Sequence, residues 1–249
     1  MSTRASAAAI LIFISTAFPL FTVASARAQS REAGTSKRIT AHRIDPRSVR
    51  LDGAVDEAVW RPEFFVSDFL QKEPTQGAQP SEKTEVAILY DDAALYIGAR
   101  LASLDPENIG MYLDRHDNQG PTEQFIVTID TYHDRRTAYG FGVNTSGVRF
   151  DRYNPEDDEF VRDYSFDPVW EAKTSRDDHG WMVEMRIPFS QLRFIDREQQ
   201  VFGINFNRWI PDRNEDVFWV YVPRNETGWA SYFGQVVGIE GIKPSRRLE

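Results

Sequence analysis

The sequence predicts an all-β domain, a β-sandwich that is jelly-roll-like and of the immunoglobulin-like size class, with short helical turns. Three observations lead there. The dominant hydrophobic period is two rather than 3.6, as in Val86-Ile88-Tyr90 against Ala87-Leu89 and Phe125-Val127-Ile129 against Ile126-Thr128-Asp130. The alternating runs are short and end in Asp, Asn, Gly or Pro. No stretch downstream of the N-terminal region holds a helical period for more than a turn or two, so the strands must bury their faces against one another in layers.

In chain order, residues 1–28 read as a cleavable secretory signal peptide. Arg4 supplies the positive start, an apolar stretch is densest from Ala7 to Phe21, and Ala26-Arg27-Ala28 forms the cleavage pattern, with Gln29 as the expected mature start. A membrane anchor would need about 20 apolar residues, but Ser15, Thr16, Pro19, Thr22 and Ser25 dilute the stretch and Pro19 breaks its helix. Residues 29–38 read as a flexible leader. A helical turn is expected from Asp56 to Trp60, with Asp56 as its N-cap. Strands follow at 86–90, 125–130 and 139–143, where Tyr139, Phe141 and Val143 share a face. Next come Trp181-Val183-Met185-Ile187, a second helical turn from Pro188 to Leu192 with proline at its first position, and the strand Phe202-Ile204-Phe206. Weaker strand signals lie near 49–51, 95–101, 169–174, 217–222 and 233–238. A transmembrane β-barrel also alternates, but its lipid face needs aromatic girdles and longer strands. Here the connection Asn154 to Asp167 is long and acidic, which argues against a barrel for this segment.

Composition narrows the chemistry. The chain has no cysteine, which removes disulfides, thiolate metal sites and thiol nucleophiles together. Its four histidines (His42, His116, His133 and His179) show no zinc-ligand spacing. Without Arg4 and Arg27 the mature part carries 27 basic against 38 acidic residues, a net charge of −11, which repels polyanions and excludes nucleic acid as a partner. No hydrolase elbow, phosphate loop or dinucleotide fingerprint is present.

Five phrases, in order, carry a family resemblance. They are Leu51-Asp52-Gly53 through Trp60, Val86 through Leu101, Phe125 through Phe141, Val169-Trp170 through Phe189, and Phe202 through Arg208 closing with Trp229 and Phe233-Gly234. Together, over residues 39–242, they resemble the family 9 carbohydrate-binding modules. Asp130-Thr131-Tyr132, Asn144-Thr145-Ser146-Gly147 and Leu192-Arg193-Phe194 are closer still to a subgroup found at the N-terminus of bacterial outer-membrane-barrel proteins. Residues 243–249 look like the stretch leading toward such a barrel.

The resemblance implies a β-sandwich that binds oligosaccharide or polysaccharide, is exported to the periplasm or outer membrane, and is associated with carbohydrate breakdown without catalysing it. In the family a pair of tryptophans clamps a terminal sugar. One maps onto Trp229, whose neighbours Thr227, Gly228 and Ser231 suggest an exposed loop. The other maps near Gly120-Pro121, where this chain has no tryptophan, so the family-type clamp is not intact. Tyr112, Tyr132 and Tyr153 are candidate replacements, and nothing in the sequence selects among them. The family's polar contacts fall near Glu123, Gln124, Arg149, Asn205 and Asn207, planar groups suited to paired hydroxyls. Trp60, Trp170 and Trp181 are expected in the core. The resemblance also implies structural calcium, which takes six to eight oxygens, and Asp151, Asp157, Asp158 and Asp163 would supply carboxylates. Two other readings stand beside sugar binding. One is an interaction or gating domain packed on an outer-membrane β-barrel, with a vestigial sugar site. The other is a glycoside hydrolase, which would need two carboxylates flanking a cleft.

Overall fold

The computed structural model describes residues 37–113, 115–118 and 120–244. The signal-peptide reading of 1–28, most of the leader and the tail from 245 lie outside the described residues. The leader's end does not: Lys37 bonds to the backbone, and a strand begins at Arg38.

Among the described residues twelve strands are arranged as two sheets that share one strand. β1 (Arg38–Arg43) pairs in parallel on both sides, but with different halves of its length. Residues 38–40 lie along β12 (Gly234–Glu240), and residues 41–43 along β3 (Thr84–Tyr90). β1 therefore turns the corner between sheets, as strands that switch layers do in sandwiches. The first sheet runs β7 (Arg149–Asn154), β6 (Ala138–Asn144), β5 (Gln124–Asp130), β10 (Gln199–Ile210), β12. β11 (Glu215–Phe218) and β2 (Leu70–Glu73) extend it from the far half of β10. The second sheet runs β3, β4 (Ala94–Ala102), β9 (Gly180–Pro188), β8 (Glu171–Asp177).

Period-two alternation sends one face of each sheet into a common core. Phe125, Val127, Ile129, Phe141, Phe202, Ile204 and Phe206 from the first sheet meet Val86, Ile88, Ile97, Val183, Met185 and Ile187 from the second. Trp170 and Trp181 are fully enclosed here, as expected. A second cluster covers the other face of the second sheet. Residues from the segment 44–65, with Val55 and Trp60 buried, pack on Ala87, Leu89, Ala94 and Tyr96. Trp60 lies against Gly98, where a Cβ would come within 2.9 Å of the indole.

The local expectations hold with shifts. The turn before Trp60 is a single one, closed by Trp60 N–H to Glu57 O at 2.9 Å. It starts at Glu57 rather than at Asp56, and no cap from Asp56 is formed; Glu57 instead accepts from Arg50 N–H and the Trp60 indole. The second turn is a 3₁₀ turn over Phe189–Gln191, with Pro188 extended just outside it. Residues 49–51 form no strand, and the expected 217–222 strand ends at Phe218.

Candidate functional site

The outer face of the first sheet is where this chain departs from a plain sandwich. Facing away from the core, β6 presents Gly140 and Gly142, so side chains from β7 can lie across it. A Cβ on Gly140 would come within 3.0 Å of Arg152, whose guanidinium rests over the Trp229 ring, 6.0 Å from its centroid. The acidic connection after β7 then folds back as a strap. Tyr153 and Asp163 exchange backbone hydrogen bonds of 2.9 and 2.7 Å, and the Asn154 amide donates to the carbonyls of Asp158, Glu159 and Val161. An ion pair between Lys72 of β2 and Glu159 ties down the strap's far side. Asp157 accepts from the backbone N–H groups of Trp229 (2.7 Å) and Ser231 (2.9 Å), which ties the strap to the turn before β12.

Between the strap and the 222–229 loop lies a cleft of about 630 Å³, a size ordinary for small-ligand sites. Arg136, Glu156, Asp158, Arg224 and Glu226 line its polar side. Arg224 is held by Glu73, and Glu226 accepts from the Tyr232 hydroxyl. The Phe160 ring also lines the cleft and is 78% exposed. Beneath it, burial pushes Asp216 up to about 6 despite a hydrogen bond from Asn207. Burial, with Arg162 nearby, lowers Arg152 to about 10.

The sequence-expected site residues do not assemble into one open surface. Trp229 lines the cleft but is buried, 3% exposed, and packs edge-on against Phe233 at 4.9 Å. It cannot serve as the flat exposed platform expected of it. The 3₁₀ turn Ala230–Tyr232 that follows it draws the ring inward. Glu123 lies at the other end of the sheet, accepting from the Trp181 indole at 2.8 Å and from Arg208 at 2.5 Å. Burial raises its pKa while Arg208 opposes the rise. Arg208 is fully buried and also bonds Glu82 and the carbonyls of Lys83 and Ala102, so the group fastens the two sheets together. Gln124 is buried and donates to Gly120 O. Arg149 donates to Trp170 O and stacks over that indole. Asn205 is buried, donating to Val220 O and accepting from the N–H groups of Phe206 and Val220. Asn207 is engaged by Asp216 and Val217 O. Each of these groups already has a partner within the fold.

Of the tyrosines, Tyr112 and Tyr132 are partly exposed, while Tyr153 packs against Tyr139. None of the three lines the cleft; the exposed ring there is Phe160. Its signal in the sequence was a lone aromatic inside the run Asp157-Asp158-Glu159-Phe160.

The expected calcium carboxylates also separate. Asp157 serves the strap, Asp158 accepts from Phe160 N–H, and Asp163 accepts from Ser165. Asp151 accepts from the Trp170 indole. Among the described residues the one group with three candidate ligand atoms within 4.8 Å is His116, Asp117 and Asp151. There the two imidazole nitrogens already face carboxylates, at 3.0 Å (Asp117) and 3.4 Å (Asp151). This set has two carboxylates rather than the oxygen-rich shell calcium takes, and of the four carboxylates expected to hold calcium it contains only Asp151.

No family model and no curated protein matches the chain. Solved structures do. A family 9 carbohydrate-binding module from Caldicellulosiruptor kristjanssonii, in complex with cellotriose, aligns with a TM-score of 0.54 at 17% identity, covering 85% of this chain and 96% of the module. A family 9 module from the same organism in complex with glucose aligns at 0.53 and 17%, covering 85% and 98%. A candidate carbohydrate-binding protein from Bacteroides uniformis aligns at 0.57 and 11%, covering 81% and 98%. The class that the fold defines is thus the family 9 type of β-sandwich. At these identities the likeness is one of fold.

Proposed function

We propose that this protein is a non-catalytic carbohydrate-binding module and that its sugar sits in the cleft between the strap and the 222–229 loop. The observation that carries this reading is the exposed Phe160 ring beside Arg136, Asp158 and Glu226. An aromatic face next to planar charged hydrogen-bonders is what a pyranose requires, because its C–H face stacks while its hydroxyls pair with carboxylates and guanidinium groups. The shared fold with modules solved in complex with cellotriose and glucose supports the ligand class. Stacking moves from Trp229, which the family pattern selects, to Phe160. Calorimetric titration with xylo-, cello- and other oligosaccharides tests the proposal. Binding is expected to weaken about tenfold, or about 1.4 kcal/mol, in Phe160→Ala, and comparably in Glu226→Ala. Absence of heat with every sugar would remove the reading.

The reading includes export to the periplasm or outer membrane, supported by residues 1–28. Sequencing the N-terminus of the protein recovered from cells is expected to give Gln29. A second reading, an interaction or gating domain of an outer-membrane β-barrel, is favoured by a specific observation: Glu123, Gln124 and Asn205 are spent inside the fold, as in a vestigial sugar site. An open reading frame of amphipathic strands of about ten residues downstream of Glu249 supports it, and a stop codon followed by an unrelated gene counts against it.

A further inference from the structure

Buried polar side-chain atoms without a partner are uncommon, because each loses its hydration without replacement. Among the described residues five such atoms occur, and four of them are Arg152 Nε, Asn154 Oδ1, Trp229 Nε1 and Ser231 Oγ. These four belong to one patch. Arg152 lies over Trp229, Trp229 and Ser231 share the Asp157 carboxylate, and the Asn154 amide holds the carbonyls of the strap that carries Asp157. Arg152 is only 5% exposed. The patch meets the cleft through Trp229 and Asp157, which line it.

We infer that this patch is the hydroxyl-reading floor of the cleft, and that a neutral sugar reaches it when the strap over residues 155–164 lifts. The inference rests on the proposed sugar-binding role. The chemistry of the orphaned atoms selects the ligand class. Arg152 Nε and Trp229 Nε1 only donate, Asn154 Oδ1 only accepts, and Ser231 Oγ does both. Sugar hydroxyls also donate and accept, so neighbouring hydroxyls of one ring can serve donors and acceptors alike. A carboxylated or sulfated sugar only accepts at its charged group. Such a group could pair with Arg152 but could not donate to Asn154 Oδ1, and it would meet the carboxylates of Asp157, Glu159 and Asp216. A cation would meet Arg152 and Arg162.

The strap closes this floor. Its hinge side is the backbone pairing of Tyr153 with Asp163, and its latch is Lys72 to Glu159, both side chains only 14% exposed. If the binding-competent state is the lifted one, the apparent dissociation constant exceeds the intrinsic one by the reciprocal of the lifted fraction. Weakening the latch then tightens binding, although it removes a contact of the free protein.

The test is calorimetry on the full chain with cellotriose, xylotriose and a galacturonic acid trimer, using wild type, Lys72→Met and Ser231→Ala. Lys72→Met is expected to bind a neutral trimer about fivefold more tightly, with faster hydrogen exchange at 155–164. Ser231→Ala deletes one orphaned atom without a lost partner, so it keeps the fold; it is expected to bind about tenfold more weakly. If both variants bind a neutral trimer as wild type does while Phe160→Ala still weakens it, the floor is not used and the inference falls, leaving the sugar-binding role intact. Preference for the galacturonic acid trimer overturns the ligand class. If neither wild type nor Lys72→Met binds any trimer, the sugar-binding role itself fails and takes the inference with it.

Discussion

Arg208 illustrates how much of this molecule's chemistry is spent on holding it together. A fully enclosed guanidinium loses its hydration, and here it recovers bonds from Glu82, Glu123, Thr84 and two backbone carbonyls. Such a group adds little net stability when complete, but losing one member leaves the others as buried, unpaired charges. Arg208→Met is therefore expected to lower unfolding stability by about 3–5 kcal/mol in a urea titration. Adding Glu82→Gln and Glu123→Gln is expected to restore most of that. A loss below about 1 kcal/mol for the single variant would place the pair in solvent and contradict the enclosure. The same residue marks a limit of the sequence. Glu123 and Asn205 have the right chemistry for sugar hydroxyls, and nothing local reveals that Arg208 and Val220 claim them first. Burial of polar groups is set by cross-strand register, which a period-two pattern does not encode. Trp60, Trp170 and Trp181 were legible as core because alternation and turn chemistry alone enclose them.

Among the elements, the strongly alternating strands were readable and the polar ones were not. β7 carries Arg149, Asp151 and Arg152 within six residues, and it exists as a strand because β6 offers its backbone and two glycines that accommodate the side chains. β1 and β2 are short and edge-like, one switching between sheets and the other paired as a strand with β11. The segment 44–65 was legible through the phrase from Leu51 to Trp60 and its helical turn, yet the whole segment acts as a cover. Asp52 and Gly53 N–H donate to Glu184, the Trp60 indole reaches the same carboxylate, and the apolar residues seal Leu89 and Ala94. Removing the anchor loses both the indole's burial and the cover's fit. Trp60→Ala is expected to cost about 3–5 kcal/mol. Hydrogen exchange is expected to accelerate through 44–65 and at the residues of β3 and β4 beneath it, while β5 and β6 keep their protection relative to the new global stability. Uniform acceleration across both sheets would show instead that the cover is not a separate layer.

Across the whole molecule, the balance of buried carboxylates sets how stability responds to pH. Burial raises Asp130 and Asp216 to about 6 and Glu184 to about 7, from unfolded values of 3.8, 3.8 and 4.5. Burial also raises Glu123 and Asp151. Each of these groups holds its proton more tightly folded than unfolded, so between about pH 4 and pH 7 the native state binds more protons, and stability falls as pH rises through that window. Within and below that window three groups act the other way. His42 and His133 are lowered by burial and by nearby arginines, so their contribution to stability grows as pH rises toward the ordinary histidine value and is complete above it, and Asp163, lowered by Ser165, contributes only around and below its ordinary value of 3.8. Five raised carboxylates, three of them by about two units or more, outweigh two lowered histidines. The high net negative charge adds to the same trend, because self-repulsion grows as the carboxylates ionise. Melting temperature at constant ionic strength is therefore expected to be higher near pH 5 than at pH 8. Glu184→Gln and Asp216→Asn are each expected to flatten the difference, since neither side chain can then ionise. Glu184→Gln should act by easing the cover over the second sheet, and Asp216→Asn by easing the ground beneath the strap. A melting temperature that climbs steadily to pH 8 would mean that the histidines dominate and that the buried carboxylates are better solvated than their enclosure implies.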